Sequence, residues 1–132
     1  MKEQTLALIK PDAIAEKYQG KIIDDILNTG FEIKAMKMLY LDKEKARQFY
    51  AVHKGKDFYM PLVEFMTSGP TIVMLLEKEN AVSDYRDLMG RTNPEKAAEG
   101  TLRKKYGETN RRNAVHGSDS TENAKKEIAF FF

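Results

Sequence analysis

The sequence predicts an α+β fold in which helices cover an antiparallel four-stranded sheet. Three observations predict it. Two short, nearly unbroken apolar runs read as buried strands, two further segments have strand character, and helical spacing returns between them. No internal repeat or linker divides the 132 residues, so one domain spanning 1–132 is expected.

Thr5-Leu6-Ala7-Leu8-Ile9 is the first strand, stopped by Lys10-Pro11, so a lysine stands at its end. Ile22, Ile23, Ile26 and Leu27 recur at helical spacing until Gly30. Residues 31–41 alternate apolar and polar with a phase change near Ala35-Met36, the pattern of a long strand with a bulge. Asp42 suits the N-cap of a helix through Tyr50, and a second short helix follows over 57–67. Thr71-Ile72-Val73-Met74-Leu75-Leu76 reads as a central strand and 81–89 as a helix. Residues 90–112, rich in Gly, Asn, Thr and charge, lack periodicity and form a long loop, a feature usually functional when ordered. Asn113 to His116 gives the last strand. Asp119 or Ser120 caps a final helix, with Glu122 at capping-box spacing from Asp119.

A globular composition, 42% hydrophobic and 32% charged, is large enough to bury roughly two thirds of the unfolded surface. The absence of cysteine excludes disulfides, thiolate nucleophiles and thiolate zinc sites. No apolar run approaches bilayer length and the first residues carry no cleavage-site pattern, so a soluble, cytoplasmic protein with no membrane partner is expected. A net charge of +2 implies no obligatory nucleic acid. Basic residues nonetheless cluster locally: Arg86, Arg91, Arg103, Lys104, Lys105, Arg111 and Arg112 precede a histidine, and such a cluster suits an anionic ligand.

The best nucleophile candidates at neutral pH are the two histidines, His53 and His116, because imidazole with a pKa of roughly 6.5 is then mostly uncharged. A neutral ring nitrogen can attack phosphorus and pass the phosphoryl group on, which gives ping-pong kinetics. The familiar Gly-rich phosphate loops G-x-x-x-x-G-K-[ST] and G-x-G-x-x-G are both absent, so a nucleotide would be held otherwise.

Asn113-Ala114-Val115-His116-Gly117-Ser118-Asp119-Ser120 singles out His116, because it resembles the active-site signature of nucleoside diphosphate kinases. The resemblance extends in register to Ile9-Lys10-Pro11-Asp12, Ser68-Gly69-Pro70, Gly90-Arg91-Thr92-Asn93-Pro94 and Gly100-Thr101-Leu102-Arg103. It implies a ferredoxin-like sheet with a helical insertion and a long active-site loop. It also implies transfer of the γ-phosphoryl group of ATP, or another nucleoside triphosphate, to a nucleoside diphosphate through phosphorylated His116. Lys10, Tyr50, Arg86, Thr92, Arg103 and Asn113 would surround the triphosphate and ribose, Phe58 would stack on the base, and Glu127 would orient the histidine. Taken singly, Tyr50 reads as a helix-end packing residue and Arg86 as a surface cation. Mg2+ is expected to arrive mainly through the nucleotide phosphates, with no metal-ligand residue named.

The resemblance further implies a homo-oligomer, a tetramer or hexamer built from dimers. Val52, Arg91, Lys104-Lys105 and Asn110 depart from the family pattern, and nucleotide affinity is expected to differ accordingly. The terminal Phe130-Phe131-Phe132 is expected to be buried in the domain or in a subunit contact. A noncatalytic nucleic-acid module is the competing reading, but the sequence lacks the aromatic RNA-binding signature K/R-G-F/Y-G/A-F.

Overall fold

The computed structural model describes residues 2–132. Strand β1 (Lys2–Ile9) leads into two helices, α1 (Pro11–Ala15) and α2 (Gln19–Asn28), and then into β2 (Glu32–Leu39). Helix α3 (Lys43–Phe49), a 3-10 turn (Ala51–His53) and α4 (Tyr59–Met66) form the insertion before β3 (Thr71–Glu79) and α5 (Ala81–Met89). A second 3-10 turn (Pro94–Lys96), α6 (Leu102–Tyr106), β4 (Val115–Gly117) and α7 (Thr121–Phe131) complete the chain.

All neighbouring strands are antiparallel, in the order β2-β3-β1-β4. The two apolar runs thus become the central pair, with Leu6 opposite Leu75 and Ile9 opposite Ile72. Both exceed the expected lengths because the polar residues Lys2 to Gln4 continue the ladder against Glu77 to Glu79. The register shift of β2 falls between Ile33 and Ala35, slightly before the expected phase change.

Alternation along β1 separates two cores. Ala7 and Ile9 pack with Ile22, Ile26, Tyr85, Met89 and Leu102 beneath α2, α5 and α6. Leu6 and Leu8 pack on the other face with Ala46, Tyr50, Val63, Met66 and Phe131 beneath α3, α4 and α7. Burial of one terminal phenylalanine follows the expectation, since Phe131 is 8% exposed, whereas Phe132 remains 46% exposed.

Two expectations need correction, and one helix is additional. The segment 90–112 is not a plain loop: Thr101 caps α6 by accepting from the Lys104 N–H, and buried Leu102 anchors that helix, a signal too short to give periodicity. Helix α1 was not expected, although Pro11 at its first position has the fixed φ that helices begin with. The last strand starts at Val115 instead of Asn113, because Ala114 has a φ of 73° and cannot continue an extended ladder. At the final helix Ser120 is the cap, accepting from the Asn123 N–H at 3.0 Å, while Asp119 accepts from the Asn123 side chain.

Candidate active site

Pairing places His116 opposite Leu8, two residues before the lysine that ends β1. Lys10 is buried, and its ammonium donates to Asn113 Oδ1 at 2.8 Å and to the Arg111 carbonyl at 2.9 Å. Burial lowers its pKa to about 8; Asp12 opposes this, while Arg103 and Arg111 add to it. The Asn113 amide in turn donates to the Thr92 and Asn110 carbonyls, which ties the strand end to the long connection. Burial likewise raises the Asp12 carboxyl above its ordinary value, partly offset by Lys10.

The His116 ring lies with its Nε2 3.1 Å from Glu127 Oε1, and the same oxygen accepts from Ser118 Oγ at 2.8 Å. A carboxylate only accepts, so this contact selects the tautomer protonated at Nε2 and leaves the lone pair on Nδ1. Phe49 meets the imidazole edge to face at 5.3 Å and Tyr50 does so at 6.4 Å, so the ring is held between a carboxylate and an aromatic wall. Tyr50 is buried in the second core, and burial raises its phenol pKa. Glu127 comes from α7, which Ser120 caps and Phe131 pins to the sheet.

Arg103, half-buried, donates to the Gly90 and Val115 carbonyls, while its buried Nε finds no protein acceptor. Burial lowers its pKa, and the charge of Arg86 adds to that. Arg86 itself is exposed on α5. Beside these groups is a cavity of about 670 Å3 lined by Lys10, Phe58, Leu62, Thr92, Asn110 and Arg111, among others. Its size suits a nucleotide-sized ligand, with an aromatic ring on one wall and cations on another. A larger hollow of about 760 Å3 at the start of β1 interleaves Lys2 and Lys125 with Glu3, Glu77 and Glu79 and contains no nucleophile from the signature.

The structure therefore brings Lys10, Phe58 and Thr92 to one cavity and links Asn113 to two of them. Arg103 is tethered next to β4, the strand that carries His116, whereas Tyr50 offers a packed ring instead of an exposed hydroxyl. A family model described as Nucleoside diphosphate kinase matches residues 3–132. The chain belongs to the nucleoside diphosphate kinase family.

Relatives that are nucleoside diphosphate kinases include those of Persephonella marina, 57% identical over 130 residues covering 98% of this chain and 93% of that protein, and Campylobacter fetus, 58% identical with 98% and 95% covered. Among solved structures, the Aquifex aeolicus nucleoside diphosphate kinase matches with a TM-score of 0.97 at 43% identity, covering 100% of this chain and 96% of that one. The Halobacterium salinarum nucleoside diphosphate kinase, solved in complex with CDP, matches at 0.96 and 36% identity, with 100% and 88% covered. These neighbours and the sheet described above establish the α+β fold.

Of the departures from the nucleoside diphosphate kinase pattern, Arg91 and Asn110 line the cavity, whereas Val52 is exposed and Lys105 pairs with Asp25. His53, the second nucleophile candidate in the sequence and outside the signature motifs, stacks its ring near Tyr50 and lies 5.0 Å from Phe58, with a buried Nδ1 lacking any protein partner. Its position three residues after Tyr50, one helical turn, was the available signal.

Proposed function

We propose that this nucleoside diphosphate kinase transfers the γ-phosphoryl group through Nδ1 of His116. The single observation that carries the atom assignment is the Nε2 contact with Glu127, which leaves Nδ1 as the basic nitrogen. Its lone pair forms the N–P bond while the bond between the γ-phosphorus and the bridging oxygen breaks. That oxygen keeps the electron pair, and nucleoside diphosphate leaves. The β-phosphate oxygen of a second diphosphate then attacks the phosphohistidine and frees the imidazole.

The surrounding groups bind, orient and neutralise. Lys10, Arg86 and Arg103 supply positive charge for phosphate oxygens, with the guanidinium forks matched to phosphate geometry. Thr92 offers a hydroxyl and Asn113 an amide to the phosphates and sugar, and Phe58 offers an exposed ring face to the base. We assign Tyr50 to supporting the imidazole as well as lining the phosphate region, because its ring is buried against it. Stacking alone discriminates little between bases, which is consistent with a broad choice of nucleotide.

Magnesium is proposed as part of the substrate, carried on the phosphates. Among the described residues no group of three or more His, Cys, Asp or Glu side chains gathers to hold a metal, and the charged residues near the cavity are mainly cations. Bound there, the ion would neutralise charge between the β- and γ-phosphates. No helix of the described residues is long and apolar enough to cross a membrane, and a cytoplasmic site of action is our reading. We also assign the 132 residues to one catalytic domain that assembles as a homo-oligomer, a tetramer or hexamer of dimers, supported by exposed apolar side chains on edge strand β2.

Incubation with γ-labelled ATP and magnesium should leave an acid-labile label on the folded protein that moves to unlabelled GDP. His116→Ala should take none. A folded wild type that stays unlabelled rules the assignment out.

A further inference from the structure

Asp12 is buried beside the catalytic strand, and phosphate binding gives it no part. Its Oδ2 accepts the backbone N–H of Ala114 at 3.0 Å, across 102 residues of sequence. Ala114 is fully buried and has a φ of 73°, a region that residues with a Cβ rarely occupy. The Val115 N–H reaches back over it to the Asn113 carbonyl at 2.9 Å, closing a three-residue turn of the rare positive-φ kind. The Ala114 carbonyl is pinned too, accepting from the Lys10 N–H at 2.9 Å.

This turn aims two groups at once. Asn113, before it, meets the Lys10 ammonium, and His116, two residues after it, enters β4 opposite Leu8. Strained backbone of this kind persists only where its surroundings over-determine it. Without an acceptor the Ala114 N–H would be buried and unpaired, and relaxation to negative φ would satisfy it elsewhere while rotating the peptide that leads to His116.

We propose that Asp12 is a positioning residue for phosphoryl transfer: its carboxylate locks Ala114 in the left-handed conformation and so sets the approach of His116 to phosphorus. This rests on the reading of His116 as the nucleophile. Displacing an attacking atom by about 1 Å costs on the order of a hundredfold in rate, so the lock should act on the chemical step more than on binding.

The test compares Asp12→Ala, Asp12→Asn, Ala114→Gly and the double variant Asp12→Ala/Ala114→Gly by the rate of label transfer from γ-labelled ATP to the enzyme. Asp12→Ala should phosphorylate at least about tenfold more slowly at saturating ATP, with half-saturation changed by less than about threefold. Asp12→Asn keeps an amide oxygen to accept the N–H and should stay near wild type. The double variant should recover most of the loss, because glycine takes positive φ without steric cost. A rate for Asp12→Ala within about twofold of wild type, or a loss the glycine does not recover, overturns the proposal.

Hydrogen exchange on the wild type reads the lock without any substitution and without activity, which separates it from the labelling of His116. The Ala114 amide should be strongly protected although it lies outside a strand. Exchange as fast as in an unstructured peptide overturns the proposal even if the variants do not fold.

Discussion

Lys10 couples burial to its proposed role in phosphate binding. Its folded pKa of about 8 lies below the ordinary 10.5, so the unfolded chain holds the proton more tightly. Stability therefore carries the full penalty of a buried cation below about pH 8 and gains as pH rises from there toward 10.5. Phosphate binding has the opposite demand, since it needs the ammonium. We expect kcat/KM to fall as pH rises through about 8, and a Lys10→Gln variant to lack that limb; a wild-type profile flat to alkaline pH counts against the role. In the proposed mechanism Glu127 acts through His116, whose Nε2 it contacts. Glu127→Gln can present its amide nitrogen to the ring and so weakens the tautomer choice, and kcat should drop roughly ten- to a hundredfold with KM little changed. Unchanged steady-state kcat would show that the ring needs no carboxylate. Lys10 was legible because it stands in a recognisable motif; Asp12 lay in view without a role because its partner, the Ala114 N–H, is 102 residues away in the sequence.

At the scale of elements, the site depends on how a few termini are tied. Helix α7 carries Glu127 and begins at Ser120, whose hydroxyl accepts from the Asn123 N–H. Ser120→Ala should cost about 1 kcal/mol, read as a fall in melting temperature of roughly 4 °C. An unchanged melting curve would mean that Asp119 or solvent satisfies the helix start equally well. The cap was legible as one of two neighbours; choosing between them required the backbone direction at the turn. Helices α1 and α6 escaped a periodicity reading because five residues show barely more than one turn, and each is held by contacts made elsewhere, Ala13 and Leu102 both entering the first core. Strand β4 is equally short, and its start was decided by the conformation of Ala114.

For the whole molecule, the two cores on opposite faces of the sheet hold the strand of His116 and the helix of Glu127 in one frame. One apolar surface stays uncovered. Met36 and Met38 are 51% and 55% exposed on edge strand β2 and Tyr40 just after it is 74% exposed, alternating with Lys37, which donates to the Phe131 carbonyl, and Leu39, which packs against the second core. A charge there should weaken self-association. Sedimentation velocity should give a mass several times the chain's 15.1 kDa, reduced by Met38→Glu; a wild type sedimenting at 15.1 kDa removes the oligomer reading.

The sequence alone determined the α+β class and the central strand pair and singled out His116 as the proposed nucleophile, because apolar runs and an uninterrupted signature are local information. The tertiary structure decided which imidazole nitrogen is bonded to Glu127, how Tyr50 and Phe49 wall the ring, and how Asp12 pins Ala114. Those are matters of orientation between segments far apart in the chain. Only packing of the sheet and its two helical layers sets them, since no spacing in the sequence encodes the distance between residues that meet across the fold.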